Sequence, residues 1–367
     1  MISKRESYRG CLLGLAVGDA MGFSVETKTW PEIQEDYGPN GLLGYDLVNG
    51  YAEVSSHTQI ALFAANGLLL GLTRGQVLGK MAPYVRYVGL ALQEWAISQR
   101  RHNQPQKTWC WSFRIQELRR RHCTDTRMVE TLNRNQLGNL QETYNKHDTP
   151  ASISAAVVAG LFANPDRMEN TEIAMLGAES IALTHGSPYA FLPGAIVAEL
   201  ITRCVYHPTQ PLVELVEATL HSFENRFSHD FPQAAEIVAL VKKALALTKK
   251  VEILPQQAME MLKCDTGAEV LAGAIYAAQV CHSDFDNAMV VAVNHSGRSA
   301  AVACLVGAIL GTRMGDGALP EFYMEGLEIR DVLEEMADDL LQGCPMTRDN
   351  KLYDEDWAQK YLHGVRG

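Results

Sequence analysis

Four glycines, Gly10, Gly14, Gly18 and Gly22, recur at strict i, i+4 spacing in RGCLLGLAVGDAMG. On an α-helix, residues four apart share one face, so they form a bare stripe. Each interior glycine costs about 1 kcal/mol relative to alanine, and four in register need a compensating contact. Close approach of another backbone supplies one. Ala303, Gly307 and Gly311 in AVACLVGAILG make a second stripe of small residues. The pattern predicts two central helices packed backbone against backbone, a crossing that also fixes what stands at the helix ends.

The rest of the chain reads as helix after helix. Apolar residues recur at helical spacing near 57–72, 76–99, 152–163, 170–184, 188–205, 211–224, 232–249, 267–281, 284–293, 298–312 and 328–341. Alternating strand patterns are nearly absent. Gly, Pro, Asn and Asp punctuate the helices, as in GPNG at 38–41 and NPD at 164–166. A chain of 367 residues carries a prior of roughly two domains. With no long linker, no repeat and no shift in composition, one all-α domain over 1–367 is the economical expectation. Hydrophobic residues at 47 % and charged residues at 20 % are enough for a large core without disulfides or metals.

Lys plus Arg number 32 and Asp plus Glu 43, a formal charge of −11. That balance argues against nonspecific nucleic-acid binding and against docking on an anionic membrane. Eight scattered cysteines without a C-x-x-C pair read as reduced, mostly buried thiols, and the chain is expected in the cytoplasm. Lys4, Arg5 and Arg9 before GCLLGLAVG imitate a signal peptide, but Glu6 sits among the basic residues and Asp19 cuts the apolar run short. The apolar run from Ala300 to Gly311 is too short to span a bilayer.

The common catalytic signatures are missing. There is no phosphate-binding loop, no dinucleotide fingerprint, no nucleophile elbow and no zinc spacing. Arg119, Arg120, Arg121 and His122 form a basic cluster with Arg100, Arg101, Trp109 and Trp111 not far away, and it reads as a solvated helix end and loop. Asp19 is of more interest. Inside the striped helix a buried carboxylate needs a cation, a donor or water, unless it faces solvent or caps a neighbouring helix. Glu26 follows seven residues later, two helical turns on, where the pair could converge on a cation.

Residues 9–26, RGCLLGLAVGDAMGFSVE, resemble the opening motif of the ADP-ribosylglycohydrolase family. The resemblance continues in VSSHTQIALFAANGLLLG at 54–71, LTHGSPYAFLPGAI at 183–196, VNHSGRSAAVACLVGAILG at 293–311 and IRDVLEEMADDL at 329–340. It spans roughly 8–341 and implies an all-α, single-domain orthogonal helical bundle. It also implies two magnesium ions that position ADP-ribose and a nucleophilic water.

The departures fall on the metal motifs. Where the family usually reads [ST]-D-D-T-Q, this chain has Ser55-Ser56-His57-Thr58-Gln59, so Ser56 and His57 replace two aspartates. Where the family reads G-D-[ST]-D-[ST], it has Gly297-Arg298-Ser299-Ala300-Ala301, so Arg298 and Ala300 replace two more. Asp19 and Glu26 are kept. Magnesium wants hard oxygen ligands, imidazole suits zinc or copper better, and a guanidinium about 5 Å from a dication repels it by roughly 2 kcal/mol even in bulk water. No metal or cofactor is therefore expected. The family's glycine-rich ligand loop is replaced by Thr149-Pro150-Ala151-Ser152, where Pro150 removes a donor and stiffens the chain. Thr184 and His185 match the family's Thr-His pair and read as structural.

These departures point to a non-catalytic family member with a binding role, for an ADP-ribose-like ligand or a protein. Arg298 is expected to fill the former metal space and pair with Asp19 or Glu26. The alternatives are a working ADP-ribosyl hydrolase and a protein-interaction scaffold that ignores the cleft. The hydrolase would use either a different metal set, with His57 and Glu26 as ligands, or metal-free acid–base catalysis by Glu26.

Overall fold

The glycine stripes meet. In a computed structural model that describes residues 2–79, 82–100, 107–349 and 351–366, α1 (Lys4–Phe23) lies antiparallel to a later helix, Ser299–Met314, along its whole length. Gly10 faces Gly311, Gly14 faces Gly307, Gly18 faces Ala303 and Gly22 faces Ala300. A Cβ at any of the four α1 positions would fall less than 3.0 Å from backbone atoms of the opposing helix. The entropy each glycine sacrifices is offset by this approach.

Between these two helices the chain runs through α2 (Trp30–Tyr37), α3 (Ser56–Leu78), α4 (Tyr84–Ser98), α5 (Thr126–Asn133), α6 (Ser154–Phe162) and α7 (Asn170–Ala182). It continues through α8 (Pro188–Tyr206), α9 (Leu212–Phe227), α10 (Gln233–Leu247), α11 (Pro255–Leu262), α12 (Gly267–Val280) and α13 (Phe285–Val293). Ser299–Met314 is α14, followed by α15 (Glu321–Gly326), α16 (Arg330–Gln342) and α17 (Glu355–Tyr361). Among the described residues the only paired strands are β1 (Lys107–Thr108) and β2 (Val365–Arg366). The fold is all-α, as expected.

Two differences from the sequence reading have local causes. The segment expected to be helical from 76 is divided, because Gly79 adopts φ 64 and ends α3 in a left-handed cap. The helix resumes only at Tyr84, after Pro83. Five short helices, α2, α5, α11, α15 and α17, were not foreseen, since six to eight residues carry too little periodicity. The start of α2 nevertheless carries a cap signature. Thr29 and Glu32 form a capping box, with Pro31 in the first turn.

The core is one apolar cluster threaded by α1, α3, α6, α8, α12 and α14. Two of these helices, α3 and α8, are long and apolar enough to span a bilayer, but 78 % and 83 % of their apolar windows are buried in the protein. All eight cysteines are free thiols, six of them buried. At the outer end of α1, Arg9 grips Asp338 of α16 through Nε (2.9 Å) and Nη2 (2.7 Å), and reaches Glu334 through Nη1 (2.6 Å). At the inner end, the N-termini of α3 and α14 open toward the loop that precedes α6.

Candidate functional site

Asp19 is fully buried in α1 and faces the start of α3. Its Oδ2 accepts from Ser55 N (2.9 Å), Thr58 N (2.9 Å) and Thr58 Oγ1 (2.6 Å), and its Oδ1 accepts from the Ser55 hydroxyl. Ser55 is itself the N-cap of α3, accepting from His57 N at 3.2 Å. The N–H groups that open a helix lack intrahelical partners; here a carboxylate from another helix supplies them. Asp19 therefore caps a neighbouring helix, one of the roles the sequence left open.

Glu26 lies past the end of α1, in the turn that leads to α2, rather than on an extension of the helix. It is 6 % exposed, and its Oε2 accepts from the N–H of Ala300 (2.7 Å) in the first turn of α14. Burial pushes its carboxyl up to about 8, against the pull of the Ala300 N–H and the Arg298 guanidinium. The two carboxylates thus serve two different helix N-termini.

Arg298 corrects an expectation. Its Nε donates to Asp265 Oδ1 (2.9 Å), and neither Asp19 nor Glu26 is its partner. The reason lies in both carboxylates. The oxygens of Asp19 are already taken by four donors from Ser55 and Thr58, and Glu26 is turned to the Ala300 N–H. Arg298 also stands at the N-cap of α14 with its backbone N–H bonded to Cys264 O (2.8 Å), which brings it beside Asp265. It still lines the cleft together with Glu26 and His57.

His57 occupies the first turn of α3, buried, with no hydrogen-bond partner at either ring nitrogen. Burial holds its pKa below the usual histidine value, against the attraction of Asp19, and the Arg298 charge lowers it further. Ser56 turns aside, accepting from Thr124 N (3.1 Å) and sharing a hydroxyl contact with Thr124 Oγ1 (3.1 Å). Ser299 donates to Val293 O (3.0 Å), and Ala300 offers only its backbone.

The loop at 149–152 is braced from beneath. Thr149 Oγ1 donates to Asp125 Oδ2 (2.8 Å) and contacts His185 Nε2 (3.2 Å), while Ser152 Oγ meets His185 Nδ1 at 3.0 Å. Thr184 Oγ1 also reaches Nδ1, at 2.8 Å. Burial drives His185 down to about 4, so it is a neutral linker in this network. Asp125 is bound by Arg127 through Nε (2.9 Å) and Nη2 (2.7 Å). Burial alone would raise its carboxyl, but Arg127 and Thr149 together hold it at about 2. Thr124, Asp125, Arg127 and Asp265 were not foreseen as parts of the site. Asp125 had only the signal of an N-cap before α5, and the others had none.

Glu26, His57, Thr124, Asp125, Thr149, Pro150, Ala151 and Arg298 enclose a cleft of about 10 Å³, room for about one water molecule. The basic cluster takes no part in it. Arg120 pairs with Glu328 and with Glu53 (2.9 Å), His122 Nδ1 contacts Val54 O (2.9 Å), and Arg101 lies outside the described residues.

By its fold the chain is an all-helical protein, with a cleft where two helix N-termini and a core loop meet. It belongs to the ADP-ribosylglycohydrolase family, whose model matches residues 1–350. It is similar to a chain in the solved structure of an ADP-ribosylglycohydrolase-related protein complex, with 19 % identity and a TM-score of 0.56. That match covers 93 % of this chain and 98 % of the other, and at this identity it speaks for the fold alone. No curated protein matches the sequence.

Proposed function

We propose that this chain is a family member without the binuclear magnesium chemistry, acting through binding rather than hydrolysis. The observation that carries this reading is the state of Asp19. Both of its oxygens are taken by the N-terminus of α3, while an imidazole and a guanidinium stand where the family motifs carry aspartates. This donor set does not fit magnesium, which takes hard oxygens in near-octahedral array and is repelled by a fixed cation. Among the described residues no cluster of three His, Cys, Asp or Glu is arranged to hold a metal.

The cleft's small volume and braced loop favour a protein partner over a nucleotide. Calorimetric titration with ADP-ribose, with and without magnesium, tests the reading. The expected result is no magnesium-dependent heat and no release of ADP-ribose from ADP-ribosyl-arginine. Hydrolysis that EDTA abolishes and magnesium restores would overturn it.

One observation supports a second reading. Glu26 keeps its proton to about pH 8 in a cleft beside an unpartnered histidine, the condition of a general acid. Metal-free hydrolysis by this route would resist EDTA, decline above about pH 8 and vanish in Glu26→Gln.

A further inference from the structure

Thirteen large apolar side chains are exposed among the described residues, and five of them, Leu43, Leu47, Val48, Tyr51 and Phe322, belong to two adjoining segments. Exposed apolar residues scattered singly need no explanation, whereas a cluster marks an interaction site. The segments are stitched together by backbone bonds from Ala52 N to Gly326 O (2.8 Å) and from Glu328 N to Ala52 O (3.4 Å). Leu47 lies over Gly326, where a Cβ would sit 3.5 Å from its methyl carbon. Tyr45 meets Tyr323 edge to face at a ring-centre distance of 5.1 Å, and Phe322 packs against it at a tilt, 4.3 Å away.

The exposure is built into the backbone. Val48 and Tyr51 exchange both backbone hydrogen bonds (2.8 and 3.0 Å) across a two-residue turn. The turn residues, Asn49 at φ 52 and Gly50 at φ 86, have the two positive angles of a tight hairpin. Directly opposed strand residues project to the same side, so Val48 and Tyr51 stand out together and cannot fold back onto the core.

The surroundings are acidic. Residues 28–53 carry Glu32, Glu35, Asp36, Asp46 and Glu53 against the single cation Lys28, which is paired with Asp36. Helix α15 adds Glu321 and Glu325 and no base. Of the cations nearby, Arg120 is held by Glu53 and Glu328, and Arg330 by Glu321 and Glu334, while Arg121 beside Arg120 is exposed and makes no ion pair among the described residues. Among the described residues Glu32, Glu35, Asp46 and Glu325 have no cation partner.

We propose that this face docks a basic amphipathic segment of another protein, with apolar side chains gripping the Leu47–Val48–Tyr51–Phe322 centre and Lys or Arg meeting the acidic rim. An apolar centre with a charged rim is the usual anatomy of such an interface, and sign complementarity selects the partner. A second copy of this chain would set acid against acid in a symmetric contact, and an anionic membrane would be repelled. The proposal deepens the binding reading by naming the partner's chemistry. It stands on residues outside the cleft.

The test uses two synthetic helical peptides of roughly five turns with the same leucine face, one with lysines and one with glutamates on the polar face. Fluorescence anisotropy should show the lysine peptide binding the full chain, more weakly as salt rises, and the glutamate peptide not binding. The double variant Leu47→Ser/Tyr51→Ser should weaken binding about tenfold or more. Asp46→Asn/Glu325→Gln should flatten the salt dependence. No binding of the lysine peptide, equal binding of both peptides, or undiminished binding by the Leu47/Tyr51 variant would overturn the proposal. So would self-association in sedimentation, or capture by phosphatidylglycerol vesicles, that this variant abolishes. ADP-ribosyl-arginine hydrolysis measured on the same proteins reports on the cleft alone, so failure of the docking surface and failure of the non-catalytic reading are told apart.

Discussion

The starts of α3 and α14 are capped by carboxylates from one stretch of chain, Asp19 and Glu26, yet the two ends differ in kind. At α3, four donors address Asp19, two of them backbone N–H groups and two hydroxyls. At α14, one N–H addresses Glu26, and burial outweighs it. The difference teaches how a helix N-terminus uses an acid. With enough donors the carboxylate becomes part of the framework. With one donor and no paired cation it becomes a proton store facing a cleft.

The α1–α14 crossing holds both ends in place, so breaking it should have the largest effect. Gly18→Leu would drive a side chain into the Ala303 carbonyl, and overpacking typically costs about 1–3 kcal/mol, more where the obstacle is backbone. Thermal denaturation should show the cooperative transition lost or strongly lowered. A normal melting temperature would mean the helices can part without harm.

Next comes Asp19→Ala, which orphans four buried donors at once and should cost about 3 kcal/mol or more. Asp19→Asn should fall between, since an amide keeps one acceptor oxygen. Urea denaturation measures both. A loss for Asp19→Ala no larger than that for Glu26→Ala would erase the contrast between the two ends.

Glu26→Gln sharpens the contrast through pH. The folded carboxyl, at about 8, is raised above the ordinary glutamate value of about 4.5. The native state therefore binds more protons than the unfolded chain across that window, and stability declines as pH rises through it. The contribution is fully present below about 4.5, diminishes up to about 8 and is level above. Wild type should lose melting temperature relative to Glu26→Gln between these limits. A gap that stays constant with pH would show that Glu26 does not store the proton. His57, lowered by burial, acts in the opposite sense, destabilising the fold as pH drops through the usual histidine range.

The smallest effects belong to Arg298 and His57 at the cleft. The Arg298–Asp265 pair is partly exposed, and Arg298→Ala should cost less than about 1 kcal/mol. His57→Leu removes two unpartnered ring nitrogens and should be neutral or mildly stabilising. A large loss in either variant, read by urea denaturation, would give these residues a structural role that their contacts do not account for.

Much of the fold was legible because helical periodicity and small-residue stripes are local patterns with one economical packing solution. Gly10 to Gly22 and Ala303 to Gly311 announced the central pair, and the structure opposes them residue for residue. Of the site, Asp19 was legible as a carboxylate that a cation, a donor or a neighbouring helix had to satisfy, whereas Glu26 was read two turns along the same helix and lies beyond its end. Their partners were not legible, because Ser55, Thr58 and Ala300 reach them from helices 36 to 274 residues away. Arg298 was assigned the wrong carboxylate for the same reason. Charge alone cannot rank Asp19, Glu26 and Asp265 without knowing which was already satisfied. The Asp125–Thr149–His185 network was hidden, since no spacing links residues from three separate segments.

The sequence by itself determined the all-α class and the family, because each is a property of residue identity and spacing along the chain. Only the tertiary structure decided that Asp19 caps α3, that burial raises the Glu26 carboxyl and that Arg298 turns to Asp265. It also decided that Val48 and Tyr51 stand in an acidic setting. These outcomes depend on desolvation and on which donors reach an acceptor first, and both are set by the distance between helices rather than by position in the chain.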